Sequence, residues 1–162
     1  IKYILKKNII HGNALTLKNS KDNTSIIFSE WSMVNSTDFK RRDFTFNSIY
    51  INFIGEVFDF YSGVEHFKNN YLKFIFDPIV QIQKDYLRAI RYIRFLSLFE
   101  NTKTFPADLE AIMLLSKNIT DFVKEKKISQ ELNKIYNMPF PKNTITFLKA
   151  NNELRQFLDF LS

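Results

Sequence analysis

Asp85 and Arg88, an acid and an arginine three residues apart, are the side chains of this sequence best suited to recognise a flat ligand. Adenine and cytosine each present an exocyclic amino donor beside a ring-nitrogen acceptor. A carboxylate and a guanidinium held side by side accept from the first and donate to the second, whereas uracil and guanine present the reverse pattern. The pair is therefore a candidate reader of adenine and cytosine. The alternative is an ordinary i,i+3 ion pair on a helix surface, worth roughly a few tenths of a kcal/mol.

Arg91 and Arg94 continue the three-residue spacing and complete the pattern D-x-x-R-x-x-R-x-x-R-F, which ends at Phe95. Guanidinium groups are suited to phosphate, so these two arginines are candidates for phosphate or RNA contact. They are equally consistent with solvated charges on a helix surface, and the sequence favours neither interpretation.

A helix must position these residues, and it is predicted to begin at Asp77-Pro78 and to end near Phe99. Asp is a good N-cap, and Pro at the first helical position loses no hydrogen bond. At about 100° per residue one face of this helix is apolar and is predicted to be buried. That face consists of Ile82, Tyr86, Ala89, Ile90, Ile93 and Ser97.

The rest of the chain is predicted to contain short strands first and helices later. One or two short strands are expected in residues 1–35, and a strand or short helix followed by a strand in residues 44–60, broken at Gly55. Later helices are predicted at about 106–117, 128–137 and 144–161 from the spacing of apolar residues. These elements define an α+β fold.

The composition indicates a folded protein. The 162 residues are 45% hydrophobic, with 18 Phe against 3 Gly, which is enough for one core of ordinary size and argues against disorder. A formal charge of +6 allows a polyanionic partner without indicating one by itself. No uncharged apolar run reaches the roughly 18 residues of a membrane helix, and no export signal is recognisable, so a cytoplasmic location without membrane contact is expected.

Four motifs in order resemble the bacterial-type family of tRNA CCA-adding nucleotidyltransferases and poly(A) polymerases. They are R-R-D-F-T-x-N from Arg41, the segment from Gly55 to Gly63, Phe76-Asp77-Pro78, and the D-Y-L-R-x-x-R-x-x-R-F run from Asp85. The resemblance covers roughly residues 38–136, and the wording of the last motif leans toward the CCA-adding branch.

The resemblance implies roles for two groups of residues. Asp85 and Arg88 match the family's pair that selects the base. Arg41, Arg42 and Asp43 match a trio that lies around the ribose and triphosphate, where arginines fork phosphate oxygens and a carboxylate accepts from ribose hydroxyls. Pinning of a turn before a strand is the structural alternative for the trio. Asp59 matches the family only partly, and we predict a structural hydrogen-bonding role for it rather than metal binding.

The family's metal-binding motif is missing from the sequence. The resemblance implies Mg²⁺ held by G-S-x-x-R followed by D-x-D, with ATP and CTP as substrates, but no D-x-D occurs among the 162 residues. No catalytic residue and no metal ligand are therefore assigned, and the chain is not expected to be active alone. A separate chain supplying the other part of the domain is a possible partner, beside tRNA or another RNA 3′ end.

The leading hypothesis is a truncated or degenerate CCA-adding-type nucleotidyltransferase. Residues 1–76 are predicted to be part of the nucleotidyltransferase head, and residues 77–162 a helical, neck-like region that binds nucleotide or RNA. The alternatives are a non-catalytic remnant that binds RNA or nucleotides, half of a split enzyme, and an unrelated helical interaction domain.

Overall fold

The computed structural model describes residues 14–18, 25–29, 36–52 and 54–161, with side chains from residue 39 onward. The chain divides into two compact units, residues 1–41 and 42–162. In the first unit, strands β1 (Ala14–Lys18) and β2 (Ser25–Ser29) form an antiparallel hairpin, and helix α1 spans Ser36–Arg41. The short strands predicted near the start are thereby confirmed. The predicted division after residue 76 stays a prediction.

The second unit begins with short elements and continues as a set of packed helices. In chain order these are a 3-10 helix (Thr45–Ser48), β3 (Tyr50–Ile51), β4 (Val57–Phe58), α2 (Gly63–Lys68), β5 (Tyr71–Leu72), α3 (Pro78–Lys84), α4 (Leu87–Phe95), β6 (Lys103–Thr104), α5 (Pro106–Leu114), α6 (Ser116–Phe122), α7 (Glu125–Leu132), a 3-10 helix (Asn133–Asn137), α8 (Pro141–Ala150) and a 3-10 helix (Asn152–Phe160). Strand β3 pairs antiparallel with β4, and β5 pairs parallel with β6. The α+β fold class is confirmed.

The helix predicted from residue 77 to residue 99 is two helices, and this part of the prediction was wrong. Its start is confirmed, since Asp77 Oδ1 accepts a hydrogen bond from Val80 N at 3.0 Å. Helix α3 then ends at Lys84, and Asp85 is extended with φ −159° and ψ 99°. Asp85 Oδ1 accepts from Leu87 N at 3.1 Å, a local bond that competes with helix continuation and begins α4.

The three later helical segments are confirmed, but each is divided. The segment 106–117 contains α5 and the start of α6, and the other two each finish in a 3-10 helix. Pro106 and Pro141 stand at the first turns of α5 and α8, where Pro is favoured. The inner face predicted for residues 77–99 is confirmed at five of its six positions, with Tyr86 partly exposed.

Phe44 lies at the centre of an aromatic cluster in the core. Its ring is fully buried, with centroids 5.0 Å from Phe74, 5.4 Å from Phe95, 5.7 Å from Phe46 and 5.9 Å from Tyr92. The two arginine-containing motifs meet in this cluster because Phe44 follows Asp43 while Tyr92 and Phe95 belong to α4.

Asp108 is a buried acid in the first turn of α5. Its Oδ2 accepts a hydrogen bond from Phe74 N at 3.1 Å, and only 4% of the residue is exposed. Burial raises the pKa of Asp108 from its ordinary 3.8 to about 6, against the opposing effect of that hydrogen bond. The neutral carboxyl is therefore favoured by folding.

The free energy of unfolding should fall as Asp108 ionises. A raised folded-state pKa gives a contribution that is full below pH 3.8 and is lost as pH rises through about 6. The rise of the pKa from 3.8 to about 6 corresponds to about 3 kcal/mol. Asp108→Asn keeps an acceptor for Phe74 N, so urea unfolding between pH 4 and 7.5 should give a flatter profile for the variant. Parallel profiles for the two proteins would contradict the assignment.

Candidate nucleotide-binding site

Arg91 joins the two motifs that the sequence analysis singled out. Its Nη1 donates to Asp43 Oδ2 and its Nη2 donates to Asp85 Oδ2, both at 2.7 Å. One planar guanidinium thus holds a carboxylate from the segment before the first 3-10 helix and another from the joint between α3 and α4. The fold brings together two acids that are 42 positions apart in the sequence.

Asp43 is almost fully engaged by the protein. Its Oδ1 accepts from Phe44 N and from Asn47 Nδ2, each at 2.9 Å, in addition to the bond from Arg91 to Oδ2. The residue is 7% exposed. A carboxylate offers about four acceptor positions, so one remains for a ligand hydroxyl. Asn47, which the sequence analysis noted only as part of a motif, helps to orient this carboxylate.

Asp85 is more accessible, with 42% of its side chain exposed. Its two described bonds are the one from Leu87 N to Oδ1 and the one from Arg91 to Oδ2. Each oxygen can accept a further hydrogen bond. The carboxylate therefore has both the exposure and the acceptor capacity that contact with an exocyclic amino group requires.

Arg88 lies one turn from Asp85 and is half-buried. Its Nη1 donates to Oε1 of Gln81, a fully buried side chain on α3. Within the described part of the chain, Gln81 Nε2 makes no hydrogen bond. Sequence reasoning missed Gln81. Its position in the sequence could have indicated a role, because Gln81 is a polar residue directly before Ile82 of the predicted buried face and seven positions before Arg88.

Arg41 and Arg42 belong to different compact units. Arg42 Nε donates to Tyr50 Oη at 3.1 Å, and its guanidinium carbon lies 5.5 Å from the centroid of the Tyr50 ring. Arg41 is exposed and ends α1. The predicted phosphate role of these two arginines stays a prediction.

Arg91 and Arg94 are both ion-paired with acids, and their predicted contact with phosphate or RNA stays a prediction. Arg94 Nε lies 2.9 Å from Glu131 Oε1 of α7, as an ion pair without hydrogen-bond geometry, and its side chain is 16% exposed. Burial lowers the pKa of Arg94, and the Glu131 carboxylate opposes this shift. Glu131 Oε2 also accepts from Lys134 Nζ at 2.5 Å. Arg94 thus connects α4 to α7.

Asp59 has the structural role that we predicted for it. Its Oδ1 accepts from Gly63 N at 2.7 Å and its Oδ2 from Val64 N at 2.9 Å, so it satisfies free amides at the start of α2. A Cβ at Gly63 would lie 2.3 Å from Thr45 O, which explains the glycine. Ser62 adopts φ 56°, a left-handed conformation that favours glycine.

Neither a metal site nor a membrane-spanning helix is found among the described residues. Outside the undescribed segments, no group of three or more His, Asp or Glu side chains is arranged to hold a metal ion. No helix in the same ranges has the length and apolar character needed to cross a membrane.

Comparison with known sequences identifies relatives that are named as CCA tRNA nucleotidyltransferases or CCA-adding enzymes. The model of the poly A polymerase head domain matches residues 5–73. The mitochondrial CCA tRNA nucleotidyltransferase 1 of Homo sapiens is 37% identical over 100 residues, which is 60% of this chain and 23% of that protein. The CCA-adding enzyme of Lactococcus lactis subsp. cremoris MG1363 is 30% identical over 126 residues, 76% of this chain and 30% of that enzyme. The chain spans about a quarter of the length of such curated relatives.

Solved structures share the fold. The CCA-adding enzyme of Bacillus stearothermophilus in complex with CTP aligns with a TM-score of 0.67 at 20% identity, over 90% of this chain and 38% of that one. The Thermotoga maritima CCA-adding enzyme complexed with tRNA aligns with a TM-score of 0.65 at 20% identity, over 88% of this chain and 37% of that one.

Proposed function

Because the chain belongs to the family of tRNA CCA-adding enzymes and poly(A) polymerases, we propose that it supplies the nucleotide-contacting part of a tRNA 3′-end nucleotidyltransferase. In this role it binds ATP and CTP and contacts the RNA 3′ end. Asp85 and Arg88 select the base, Asp43 accepts from a ribose hydroxyl, and Arg41 and Arg42 lie toward the triphosphate.

One observation carries this proposal: the guanidinium group of Arg91 forms ion pairs with both Asp43 and Asp85, an arrangement called the Arg91 fork below. It brings the carboxylate of the R-R-D motif and the carboxylate of the D-x-x-R motif to the same guanidinium, as joint contact with one nucleotide requires. Solved relatives are described in complex with ATP, with CTP and with tRNA, which supports the same ligands here.

Mg²⁺ is the metal expected from the family, but the residues present do not fit it. The sequence has no D-x-D, and the described ranges have no cluster of metal-ligating side chains. We therefore assign no phosphoryl-transfer step to this chain, and propose that metal-binding carboxylates come from outside the 162 residues, for instance from a separate chain. A cytoplasmic location also stays a prediction, since the human relative is named as mitochondrial.

Nucleotide binding by the purified chain tests the proposal. Titration with ATP, CTP, GTP and UTP, followed by amide chemical shifts or calorimetry, should give tighter binding of ATP and CTP than of GTP and UTP. A folded chain that binds all four equally would contradict the proposal. It would favour the alternative of a remnant that binds RNA or nucleotides without choosing the base.

The exposed lysines Lys124, Lys126 and Lys127 at the start of α7 should carry RNA affinity, since Arg91 and Arg94 are engaged with acids. Replacing all three with Gln should weaken tRNA binding and flatten its salt dependence. The log–log slope should change by roughly 0.7 to 0.9 for each phosphate that the variant no longer neutralises. Filter binding at several salt concentrations measures both quantities.

A matched control replaces the exposed residues Lys117, Lys142 and Lys149 with Gln, which removes the same total charge elsewhere. If both triple variants lose the same affinity and the same slope, the attraction is a property of net charge and not of this segment.

A further inference from the structure

We propose that Arg91 is a positioning residue for base choice, which holds Asp85 in place by anchoring it to Asp43. This inference rests on the proposed function, because it concerns how the same site chooses its base. The sequence left Arg91 as a phosphate ligand or a solvated charge, and the structure gives it a different set of contacts.

Arg91 connects Asp43 to Asp85 through its two Nη atoms. Asp43 is fixed by Phe44 N and Asn47 Nδ2, and Arg91 links it to Asp85 through two bonds of 2.7 Å. Because the guanidinium is planar, its two Nη atoms hold the two carboxylates at a set separation. The buried aromatic cluster around Phe44 is thereby connected to the partly exposed carboxylate of Asp85.

Asp85 needs such support because of where it lies. It occupies the extended joint between α3 and α4, and its side chain is 42% exposed. Apart from Arg91, the described contact that orients its carboxylate is the bond from Leu87 N to Oδ1. Without Arg91, Oδ2 would turn toward solvent, and the carboxylate would accept from adenine or cytosine with a less defined geometry.

A phosphate role and a positioning role for Arg91 predict different binding data. Loss of a phosphate ligand weakens all four nucleoside triphosphates by the same factor and leaves their order unchanged. Loss of a positioning residue lowers the preference for ATP over GTP and for CTP over UTP, and leaves the mean triphosphate affinity nearly constant. The exposed fraction of Arg91, 28%, allows either role, so the measurement decides.

The experiment compares the full chain with Arg91→Gln and Arg94→Gln, using ATP, GTP, CTP and UTP as probes. Arg94 is a matched control, since it lies one turn along α4 and is also ion-paired, but with Glu131 of α7. In Arg91→Gln the ATP:GTP affinity ratio should fall from ~10 toward one, while the mean affinity changes by less than about threefold. Arg94→Gln should keep the ratio of the unmodified chain.

Two other results for a folded Arg91→Gln protein would overturn the inference. Uniform weakening of all four nucleotides with an unchanged ratio would make Arg91 a phosphate ligand, and no change at all would give it no role in the site. If Arg91→Gln does not fold, Arg91→Lys replaces it, because an ammonium group keeps the charge but lacks the two Nη donors held in one plane. The ATP:GTP affinity ratio of Arg91→Lys should still be lower than that of the unmodified chain. The unmodified chain tests the proposed function separately from the role of Arg91. If the unmodified chain does not prefer ATP over GTP and CTP over UTP, the proposed function fails as well.

Discussion

Replacing Phe44 with Ala should lower the free energy of unfolding by about 3 to 5 kcal/mol. The ring is fully buried and lies within 6 Å of four other aromatic rings, two of them on α4. Truncation removes the transfer free energy of the ring and leaves a cavity among the surrounding rings. Urea unfolding followed by far-UV circular dichroism measures the change.

Phe122→Ala is the matched control for this prediction. Its ring is 68% exposed and contacts one aromatic neighbour, Tyr86, at 5.1 Å. The loss should stay below about 1.5 kcal/mol, the upper range for a single aromatic pair. A cost for Phe44→Ala no larger than that of the control would mean that the cluster is not the core of the second unit.

Phe44 also connects stability to the site, because Asp43 precedes it directly and its own backbone N–H donates to Asp43 Oδ1. Even a folded Phe44→Ala protein should therefore bind nucleotides with a reduced base preference. The apolar residue is not expected to touch the ligand, so this loss would come from the position of the carboxylate alone.

The positions of the helices could be predicted from the sequence, and their ends in part. Apolar spacing located the buried face of α3 and α4, and Asp77-Pro78 marked the start of α3, because caps and amphipathic faces are local properties. The break at Asp85 was missed, since an acid inside a periodic pattern is compatible with a continuous helix. Here the side chain bonds to Leu87 N and competes with the helix, and single-sequence periodicity contains no sign of that competition.

The partners of charged side chains were harder to predict than their types. Motif spacing selected Asp43, Asp85 and Arg91, but only the tertiary contact between residues 43 and 91 decides that Arg91 donates to two acids. Gln81 was missed for the same reason, as its contact with Arg88 depends on the packing of α3 against α4. Asp59 was correctly assigned a structural role because its targets, the amides of residues 63 and 64, are close in sequence.

Removing either member of the base-reading pair should abolish the preference for ATP and CTP. Asp85 is the accessible acceptor and Arg88 the neighbouring donor, and each good bidentate contact contributes ~1 to 3 kcal/mol of discrimination. Asp85→Ala or Arg88→Ala should bring the four nucleotides within about threefold of one another, as measured by the same titrations. Because Asp85 Oδ1 also accepts from Leu87 N at the start of α4, the Ala variant should lose roughly 1 kcal/mol of stability in addition, whereas Asp85→Asn keeps an accepting oxygen and tests base choice more cleanly.

Asp77→Ala tests whether a loss of base preference in the Asp85 variants comes from lost contact with the base or from a weakened helix end. Asp77 Oδ1 accepts from Val80 N at 3.0 Å, much as Asp85 Oδ1 accepts from Leu87 N at 3.1 Å, so both Ala variants lose a comparable local bond. Only Asp85 shares the fork of Arg91 with Asp43. The preference for ATP and CTP should therefore survive in Asp77→Ala and vanish in Asp85→Asn. Equal loss in both would attribute the effect to weakened helix ends, and equal retention would leave Asp85 as a structural residue with no part in choosing the base.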